Sequence, residues 1–300
     1  MSKTVPREAQ PFPIIEAFGF PVGSSTPEAL RSQTEHLCPF AENTCEKYRQ
    51  YGFGYCSVTY AAADDAGRRH TYAVCDHRVD GTPLLQAVAH HFGNKVVELV
   101  PEVVLTDPRT SFDYVAFTRS PEGIDDAIAI ETQAVDIRGG GVGPAWRAWQ
   151  DGRQDEWRAY FTEEASTKNR RDTVAYGVNM ANIYKRLGLQ VATKGTYLKA
   201  IGVKLYVVMQ DRPFRYLKNR VKFVPVEPDD NPDIVFMTFD YSGSVDADGR
   251  LNFGHVQTVC TTLENYTVAL SSDHRATADQ RAGFLEKVAS KASRTVAVSA

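Results

Sequence analysis

The sequence predicts an α/β protein with a mixed central β-sheet flanked by helices. Helical and strand-like patterns mix along the chain, and there is no internal repeat or low-complexity tract. Hydrophobic residues make up 43% of the composition and aromatic residues 11%, which is enough for a sizeable core. A chain of 300 residues can form one large domain or two modest ones. We expect a small N-terminal unit, residues 1–80, and a larger unit, residues 81–300.

The composition excludes some classes of protein. The sequence has no window of about 18 apolar residues, so a membrane-spanning helix is not expected. The N-terminus lacks the apolar stretch and small-residue cleavage site of a signal peptide, which predicts a cytoplasmic protein. A net charge of −3 gives no overall basic signature for nucleic acid, although basic residues can still cluster on one groove.

The first third of the chain predicts short elements. Residues 1–30 contain several prolines and are expected to be irregular. Two short strands are expected at YCSVTYAAA and RHTYAVCDHRV, with a turn at DDAGRR between them. The segment TPLLQAVAHHFG has helical spacing, with proline near its start and glycine at its end.

The rest of the chain predicts longer elements. Two apolar runs, FDYVAF and IAIETQAV, follow the segment NKVVELVPEVVLTD and are expected to be neighbouring strands. A helix of about four turns is expected in TVAYGVNMANIYKRLGLQVATKG, ending near Gly188. The remaining expected elements are three strands, in YLKAIGVKLYVVMQD, DIVFMTFDYSG and LNFGHVQTVCTTL, and a C-terminal helix in TADQRAGFLEKVASKAS.

Four of the five cysteines fall within 38 residues: Cys38, Cys45, Cys56 and Cys75. Structural disulfides are not expected in a reducing cytosol. Four thiolates complete a tetrahedral metal site that has no open position, so the cluster predicts a structural metal site. Such a site would hold together a segment that is too small to bury its own core.

Several points about the cysteines stay open. The chemistry of the ligands does not choose between iron and zinc. His36 and His77 lie close to two of the cysteines in the sequence, and either could replace one thiolate. Four unrelated core thiols are the alternative. Cys260 stands apart in a strand-like run and is expected to be a small core residue.

The two apolar runs contain acids at positions where a buried strand would have apolar residues. Asp113 lies in FDYVAF, and Glu131 and Gln133 lie in IAIETQAV. Residues two apart in a strand point the same way, so Glu131 and Gln133 share a face. An unpaired carboxylate is costly to bury, and Mg²⁺ binds carboxylate oxygens. The pattern therefore predicts a magnesium site, with ordinary ion pairs at strand ends as the alternative.

The cysteine and acid motifs together resemble the NotI family of type II restriction endonucleases. The resemblance is carried by CPFAENTCEKY, two later cysteines and FDYVAF…IETQAVDIRGGG, roughly residues 38–141. That family places a four-cysteine iron site ahead of a PD-(D/E)xK nuclease core, with E-x-Q where most relatives have E-x-K. The resemblance implies a bacterial enzyme that cuts a GC-rich palindromic site similar to CGGCCG. It also implies a 5′-phosphate and a four-base 5′ overhang.

The resemblance implies roles for particular residues. Asp113 and Glu131 would bind the catalytic magnesium, and the four clustered cysteines would bind a structural iron, with zinc as the alternative. Gln133 would occupy the place of the usual lysine. A neutral amide cannot act as a general base near neutral pH, so it can only orient water or phosphate by hydrogen bonds. The family also has a glutamate upstream of the first aspartate, for which we choose Glu98, with Glu102 as the alternative.

Basic residues in three segments are expected to contact double-stranded DNA, although two of these segments, STKNRR and DRPFRYLKNRVKF, are equally typical of a solvated surface. Phosphate contacts would position the protein, and the arginine fork suits guanine in the major groove. The expected DNA-binding residues are Arg138, Arg147, Lys168, Arg170, Arg171, Arg215, Lys218 and Arg220. A palindromic target implies a two-fold symmetric protein, so we expect a homodimer.

Two other classes of protein stay open. One is a non-catalytic DNA-binding protein whose fold is held by a metal, and the other is a metal-dependent hydrolase of small phosphoesters. A nucleotide binder built on RGGGVG is not favoured, because the string lacks the G-x-x-x-x-G-K-[ST] frame.

Overall fold

The central feature of the fold is a six-stranded mixed β-sheet with helices on both faces. The structure is a computed structural model, and it describes residues 10–61, 68–107, 109–139, 141–169, 176–272 and 278–292. The expected mixed α/β fold with a central sheet between helices is confirmed. In these parts of the chain, every helix is too short or too polar to cross a membrane.

The strands of the described chain are β1 (Ile14–Ala17), β2 (Phe20–Pro21), β3 (Leu37–Cys38), β4 (Asn43–Thr44), β5 (Tyr55–Ala61), β6 (Arg69–Ala73), β7 (Glu98–Thr106), β8 (Arg109–Ser120), β9 (Gly123–Gln133), β10 (Ile137–Gly139), β11 (Tyr176–Val178), β12 (Lys204–Gln210), β13 (Ile234–Val245) and β14 (Leu251–Thr261).

The helices are α1 (Pro27–Glu35), α2 (Glu46–Tyr51), α3 (Asp76–Asp80), α4 (Thr82–Phe92), α5 (Gly143–Gln150), α6 (Trp157–Thr167), α7 (Met180–Asn182), α8 (Gly188–Ala200), α9 (Asp211–Val221), α10 (Leu263–Ser272) and α11 (Ala278–Lys291). A π-helical segment, Ile183–Leu187, connects α7 to α8, and 3₁₀ turns span Gln154–Glu156 and Pro228–Asp230.

The large sheet has the strand order β14-β13-β12-β9-β8-β7. Strands β9, β12 and β13 are parallel neighbours, and the remaining pairs are antiparallel. Along β12, Leu205 and Val207 pack against one helical layer, whereas Tyr206 and Val208 pack against the other. A strand covered on both faces must be apolar along nearly its whole length, which explains the sequence LYVVM.

Helices α3 and α4 lie on one face of the large sheet, and α8, α9 and α10 lie on the other. The layer with α8 begins with the π-helical segment, which contacts both α8 and α9. Strand side chains alternate between the two faces of the sheet. In β9, Ala129 packs in the layer that contains α8, whereas Ile128 and Ile130 pack in the layer that contains α3 and α4.

The N-terminal region is more regular than its prolines predict. Residues 14–21 form β1 and β2, and α1 follows at Pro27. The hydroxyl of Thr26 caps α1 by accepting a hydrogen bond from the backbone N–H of Ala29 at 3.2 Å, and Pro27 occupies the first turn. Proline is well tolerated at this position because its missing N–H would have no partner there. The predicted turn at DDAGRR lies mostly outside the described residues.

The helix expected to end near Gly188 has different bounds. Residues 173–175 of that segment lie outside the described residues, Tyr176–Val178 form β11, and the helix continues through Gly188 to Ala200. Gly188 has ordinary helical angles, φ −55° and ψ −44°. A Cβ atom there would lie 3.6 Å from Leu217 and 3.8 Å from Leu270. The glycine thus sits where α8 packs closely on α9 and α10, so it does not end the helix.

A smaller antiparallel sheet, with the order β2-β1-β5-β6, joins the large one directly. The backbone N–H of Val135 donates to the carbonyl of Ala73 at 2.9 Å, and the amide of Gln210 donates to the carbonyl of Thr71 at 2.7 Å. The hydrophobic cluster of the small sheet also contains Trp146 and Trp157, both buried. The core of the small sheet therefore includes residues well beyond the expected unit 1–80.

Candidate functional site

A pocket of about 880 Å³ opens at the carboxyl end of β9. The last three residues of β9, Glu131, Thr132 and Gln133, line it. Its other walls come from α2 and α3 on one side and from the π-helical segment and α8 on the other. The pocket therefore lies where the two helical layers and the N-terminal region meet.

Asp113 and Glu131 face the same pocket. Strands β8 and β9 are antiparallel, with Tyr114 opposite Ile130 and Val115 opposite Ala129. The next pair in this register is Asp113 with Glu131, and opposite residues of antiparallel strands share a face. The carboxylate of Asp113 also accepts a hydrogen bond from the backbone N–H of Thr132 at 2.9 Å, which fixes its orientation.

Glu131 is buried, with 4% of its surface exposed. Its Oε2 accepts a hydrogen bond from the ammonium of Lys194 at 2.5 Å. Its Oε1 is buried and has no hydrogen-bond partner among the described residues. The pKa of Glu131 is raised to about 7, chiefly by burial; the charge of Asp113 also raises it, whereas the ammonium of Lys194 lowers it. This carboxyl therefore gains or loses its proton near neutral pH.

Two more acids of the pocket come from α3, Asp76 and Asp80. Burial raises the pKa of Asp80 to about 6. Burial also raises the pKa of Asp76, and the charge of Asp113 raises it further. Neither acid could be recognised from the sequence, because both lie next to the cysteine motif, within five residues of Cys75, and far from the strand motif. The concentration of acids makes one wall of the pocket strongly anionic when they are ionised.

The facing wall carries basic and amide side chains at four-residue spacing: Arg186, Gln190 and Lys194. Residues four apart on a helix lie on one face. Arg186 is exposed, Gln190 is half-buried and Lys194 is buried, so the row runs from solvent toward Glu131. This row was not predicted from the sequence, because the helix was expected to end near Gly188. Helical spacing continued past that glycine was the signal that could have revealed it.

The structure places the two upstream glutamates differently. Glu98 is exposed on the edge strand β7 and is hydrogen-bonded to Arg119 at 2.7 Å. It lies opposite Phe117, four residues along β8 from Asp113, and it does not line the pocket. Glu98, which was expected to be a catalytic acid, therefore lies away from Asp113 and Glu131. Glu102, the alternative, lines the pocket at a left-handed backbone position with φ 51°.

Gln133 lines the pocket with Glu131. Its Nε2 donates a hydrogen bond to the carbonyl oxygen of Ala134 at 2.5 Å. The amide nitrogen of Gln133 is therefore bonded to the backbone of the next residue. Because the side chain is neutral, the strand motif supplies no positive charge to the pocket.

The four clustered cysteines are all buried, and each of Cys38, Cys45 and Cys56 interacts electrostatically with Cys75. Cys38 lies in β3, Cys45 precedes α2, Cys56 lies in β5 and Cys75 precedes α3. A hydrogen bond between the sulfurs of Cys56 and Cys75 raises the pKa of Cys56 and lowers that of Cys75. Within the described chain, no three His, Cys, Asp or Glu side chains form a group ready to hold a metal ion. The metal site at the cysteines thus stays a prediction.

The two histidines near the cysteines have other partners. The ring of His36 stacks on Tyr48 with centroids 4.0 Å apart. The ring of His77 lies 3.7 Å from the carboxylates of Glu46 and Asp80. Cys260 lies in β14 opposite Val235 of β13 and is buried in the core, as expected.

The predicted DNA-binding residues that the structure describes lie outside the pocket. Arg147 and Lys168 both pair with Glu164, at 3.0 Å and 2.9 Å. Arg138 is exposed on β10. Arg170 and Arg171 fall outside the described residues.

The other predicted DNA-binding residues lie on α9, next to the π-helical segment. Arg215 pairs with Asp211 at 2.6 Å. The ammonium of Lys218 lies 6.0 Å from the ring of Phe214, and the guanidinium of Arg220 lies 4.8 Å from the ring of Tyr184. The α9 residues are therefore on the same face of the sheet as the basic wall of the pocket.

The fold and the site define an α/β protein whose pocket has an acidic wall facing a basic one. Comparisons with known proteins do not extend this description, because no family model matches the chain and no curated protein is significantly similar to it. The class of activity therefore rests on the sequence motifs and on the geometry of the pocket.

Proposed function

We propose that the chain is a magnesium-dependent type II deoxyribonuclease with a PD-(D/E)xK core. Its substrate is double-stranded DNA with a GC-rich palindromic site similar to CGGCCG. The observation that carries the proposal is the convergence of Asp113 and Glu131 on one pocket. Two carboxylates on neighbouring strands that face one pocket are the arrangement that the motif requires.

The residues of the pocket fit a hard divalent cation. Oε1 of Glu131 is buried and, among the described residues, has no hydrogen-bond partner, which is unfavourable unless a cation or a donor binds it. Mg²⁺ often uses only one or two protein carboxylates and completes its shell with waters and phosphate oxygens. Asp113 and Glu131 would hold the ion. When bound, Mg²⁺ would favour deprotonation of water and offset the charge that builds on the phosphate.

The reaction is hydrolysis of a phosphodiester. A water oxygen forms a bond to phosphorus, the bond from phosphorus to O3′ breaks, the water gives up a proton to solvent and O3′ gains one. The products are a 5′-phosphate and a 3′-hydroxyl, with a four-base 5′ overhang if both strands are cut as the resemblance implies. Gln133 contributes by hydrogen bonds alone. The Thr132 N–H holds Asp113 in its orientation.

The cysteine cluster is the second part of the proposal. Four buried thiols are the donors that soft and borderline metals prefer. We assign a structural iron to Cys38, Cys45, Cys56 and Cys75, with zinc as the alternative. Because the proposed target is palindromic, the active protein is a homodimer with one site per subunit. It acts in the bacterial cytoplasm.

A second candidate function is hydrolysis of a small phosphoester. The volume of about 880 Å³ lies within the range of about 300–1,000 Å³ that is typical of small-ligand sites. The two functions differ in their response to salt. A protein that contacts many DNA phosphates loses affinity steeply as salt increases, whereas binding of a small phosphoester depends on salt only weakly.

The test is incubation of the purified protein with Mg²⁺ and a plasmid carrying CGGCCG, followed by mapping of the ends. We expect double-strand cleavage at that site. Asp113→Asn and Glu131→Gln should abolish cleavage while keeping site-specific binding. Glu98→Gln is the matched control, because this exposed acid lies outside the pocket, and it should cleave normally. A wild-type protein that cuts no DNA, or an Asp113→Asn variant that still cuts, would refute the proposal.

A further inference from the structure

Lys194 is an unusual residue for its position. Lysine is almost never buried unless it is paired, and Lys194 has only 8% of its surface exposed. Its ammonium lies 2.5 Å from Oε2 of Glu131 and 5.6 Å from the ring centre of Phe112. A buried ion pair adds little to stability compared with apolar residues of similar volume. Stability alone therefore does not explain a lysine here.

The lysine ends a row that leads into the pocket. Arg186, Gln190 and Lys194 line the pocket from one helical face, while Val191 and Leu198 of the same helix are buried in the core. The row starts in the π-helical segment, a feature that is frequent at functional sites. Positive charge at both ends of the row suits an anionic chain that enters from solvent and ends at Glu131.

The strand motif lacks the cation that this row supplies. Gln133 is neutral, and its amide nitrogen bonds to the carbonyl of Ala134. Lys194 reaches Glu131 from the facing helix. An ammonium has three protons to donate, and the bond to Glu131 uses one of them.

We propose that Lys194 is a catalytic residue of the phosphodiester hydrolysis. In the substrate-free protein its ammonium pairs with Glu131. With DNA bound, it donates a hydrogen bond to a non-bridging oxygen of the phosphate that is cut. It transfers no proton. A fixed positive charge at this position stabilises the extra negative charge of the transition state. The inference rests on the proposed nuclease function.

A purely structural lysine would behave differently. If Lys194 only neutralises Glu131, its removal changes the Mg²⁺ concentration for half-maximal activity, and the maximal rate is unchanged when Mg²⁺ is saturating. If Lys194 contacts the phosphate, the maximal rate falls even when Mg²⁺ is saturating. The two quantities thus separate the roles.

The experiment measures single-turnover cleavage of a duplex oligonucleotide across a range of Mg²⁺ concentrations, for wild type, Lys194→Met and Lys194→Arg. Lys199→Met is the matched control, since Lys199 is on the same helix but is exposed and pairs with Asp233. We expect Lys194→Met to lower the maximal rate about 100-fold or more. It should retain binding of the duplex in Ca²⁺. Lys199→Met should cleave at the wild-type rate.

The outcomes are distinguishable. Wild-type cleavage that survives in Lys194→Met at saturating Mg²⁺ refutes the role of Lys194 alone. A wild type that cleaves no DNA refutes the nuclease function and this inference together. If circular dichroism shows that Lys194→Met does not fold, Lys194→Arg decides. This variant keeps the charge but changes the donor geometry, so it should lose at least about 10-fold in rate if the contact is catalytic, and nothing if it is structural.

Discussion

Replacing Glu131 with glutamine should change how the stability of the protein depends on pH. The folded protein holds this carboxyl in a buried position beside Asp113, and burial is the main reason that its pKa rises from 4.5 to about 7. In the unfolded chain the group has its ordinary pKa. Between these two values the folded protein keeps the proton and the unfolded chain loses it, so stability falls as pH rises through this window.

The magnitude follows from the two pKa values. One pKa unit corresponds to about 1.4 kcal/mol, so the ionised form of Glu131 costs the folded protein about 3 kcal/mol once the pH is above the folded value. Over the practical range from about pH 5 to about pH 8 the expected loss is about 2–3 kcal/mol. Glutamine does not titrate. The difference in unfolding free energy between wild type and Glu131→Gln should therefore move in favour of the variant by this amount.

The assay is urea unfolding at several pH values without added divalent metal, followed by the fluorescence of the buried Trp146 and Trp157. Glu98→Gln is the control. The hydrogen bond from Arg119 lowers the pKa of Glu98, so any change with pH should be small and of opposite sign. Added Mg²⁺ should reduce the loss in the wild type, because a bound cation favours the ionised carboxylate.

The result that would refute this reasoning is a constant difference between wild type and Glu131→Gln from pH 5 to pH 8. Glu131 would then be ionised throughout, and its pairing with Lys194 would outweigh the cost of burial. The same result would remove the reason to regard Oε1 as a position that needs a cation.

Two further predictions concern the ion pairs of Arg78 and Arg119 and the cysteine cluster. Arg78→Ala should destabilise the protein by about 3–5 kcal/mol in urea unfolding, because it leaves the buried Glu16 without its charged partner 3.3 Å away. Arg119→Ala, which breaks an exposed pair with Glu98, should cost much less, because exposed ion pairs contribute little to stability, and equal costs would contradict the role given to burial. For the cysteines, elemental analysis of protein purified without chelator should find about one iron per chain and visible absorbance. Zinc without colour would replace iron, and four freely reactive thiols with no metal would exclude the site.

The strands and the paired acids could be predicted from the sequence because their signals are local. Apolar runs with a period of two, or fully apolar runs for strands covered on both faces, mark strands wherever they fold. Asp113 and Glu131 stand out because each acid interrupts such a run, and both line the pocket. The C-terminal helix and the strand containing Cys260 were confirmed for the same reason.

The partners of these acids could not be predicted in this way. Lys194, Asp76 and Asp80 come from helices that the sequence separates from the strand motif, and only packing across the sheet brings them to one pocket. Lys194 was not placed on a helix in the prediction, because a glycine such as Gly188 in a helical pattern often marks the end of a helix. Here close packing against Leu217 and Leu270 accounts for it.

The sequence alone was sufficient for the class of fold and for the two acids, since periodicity and the cost of burying charge act along a single strand. The tertiary structure was needed to exclude Glu98 from the pocket, to bring in the acids of α3 and to place a buried ammonium against Glu131. These facts depend on which faces of distant elements meet. Such contacts are set by the packing of whole helical layers on the sheet, and no local pattern carries them.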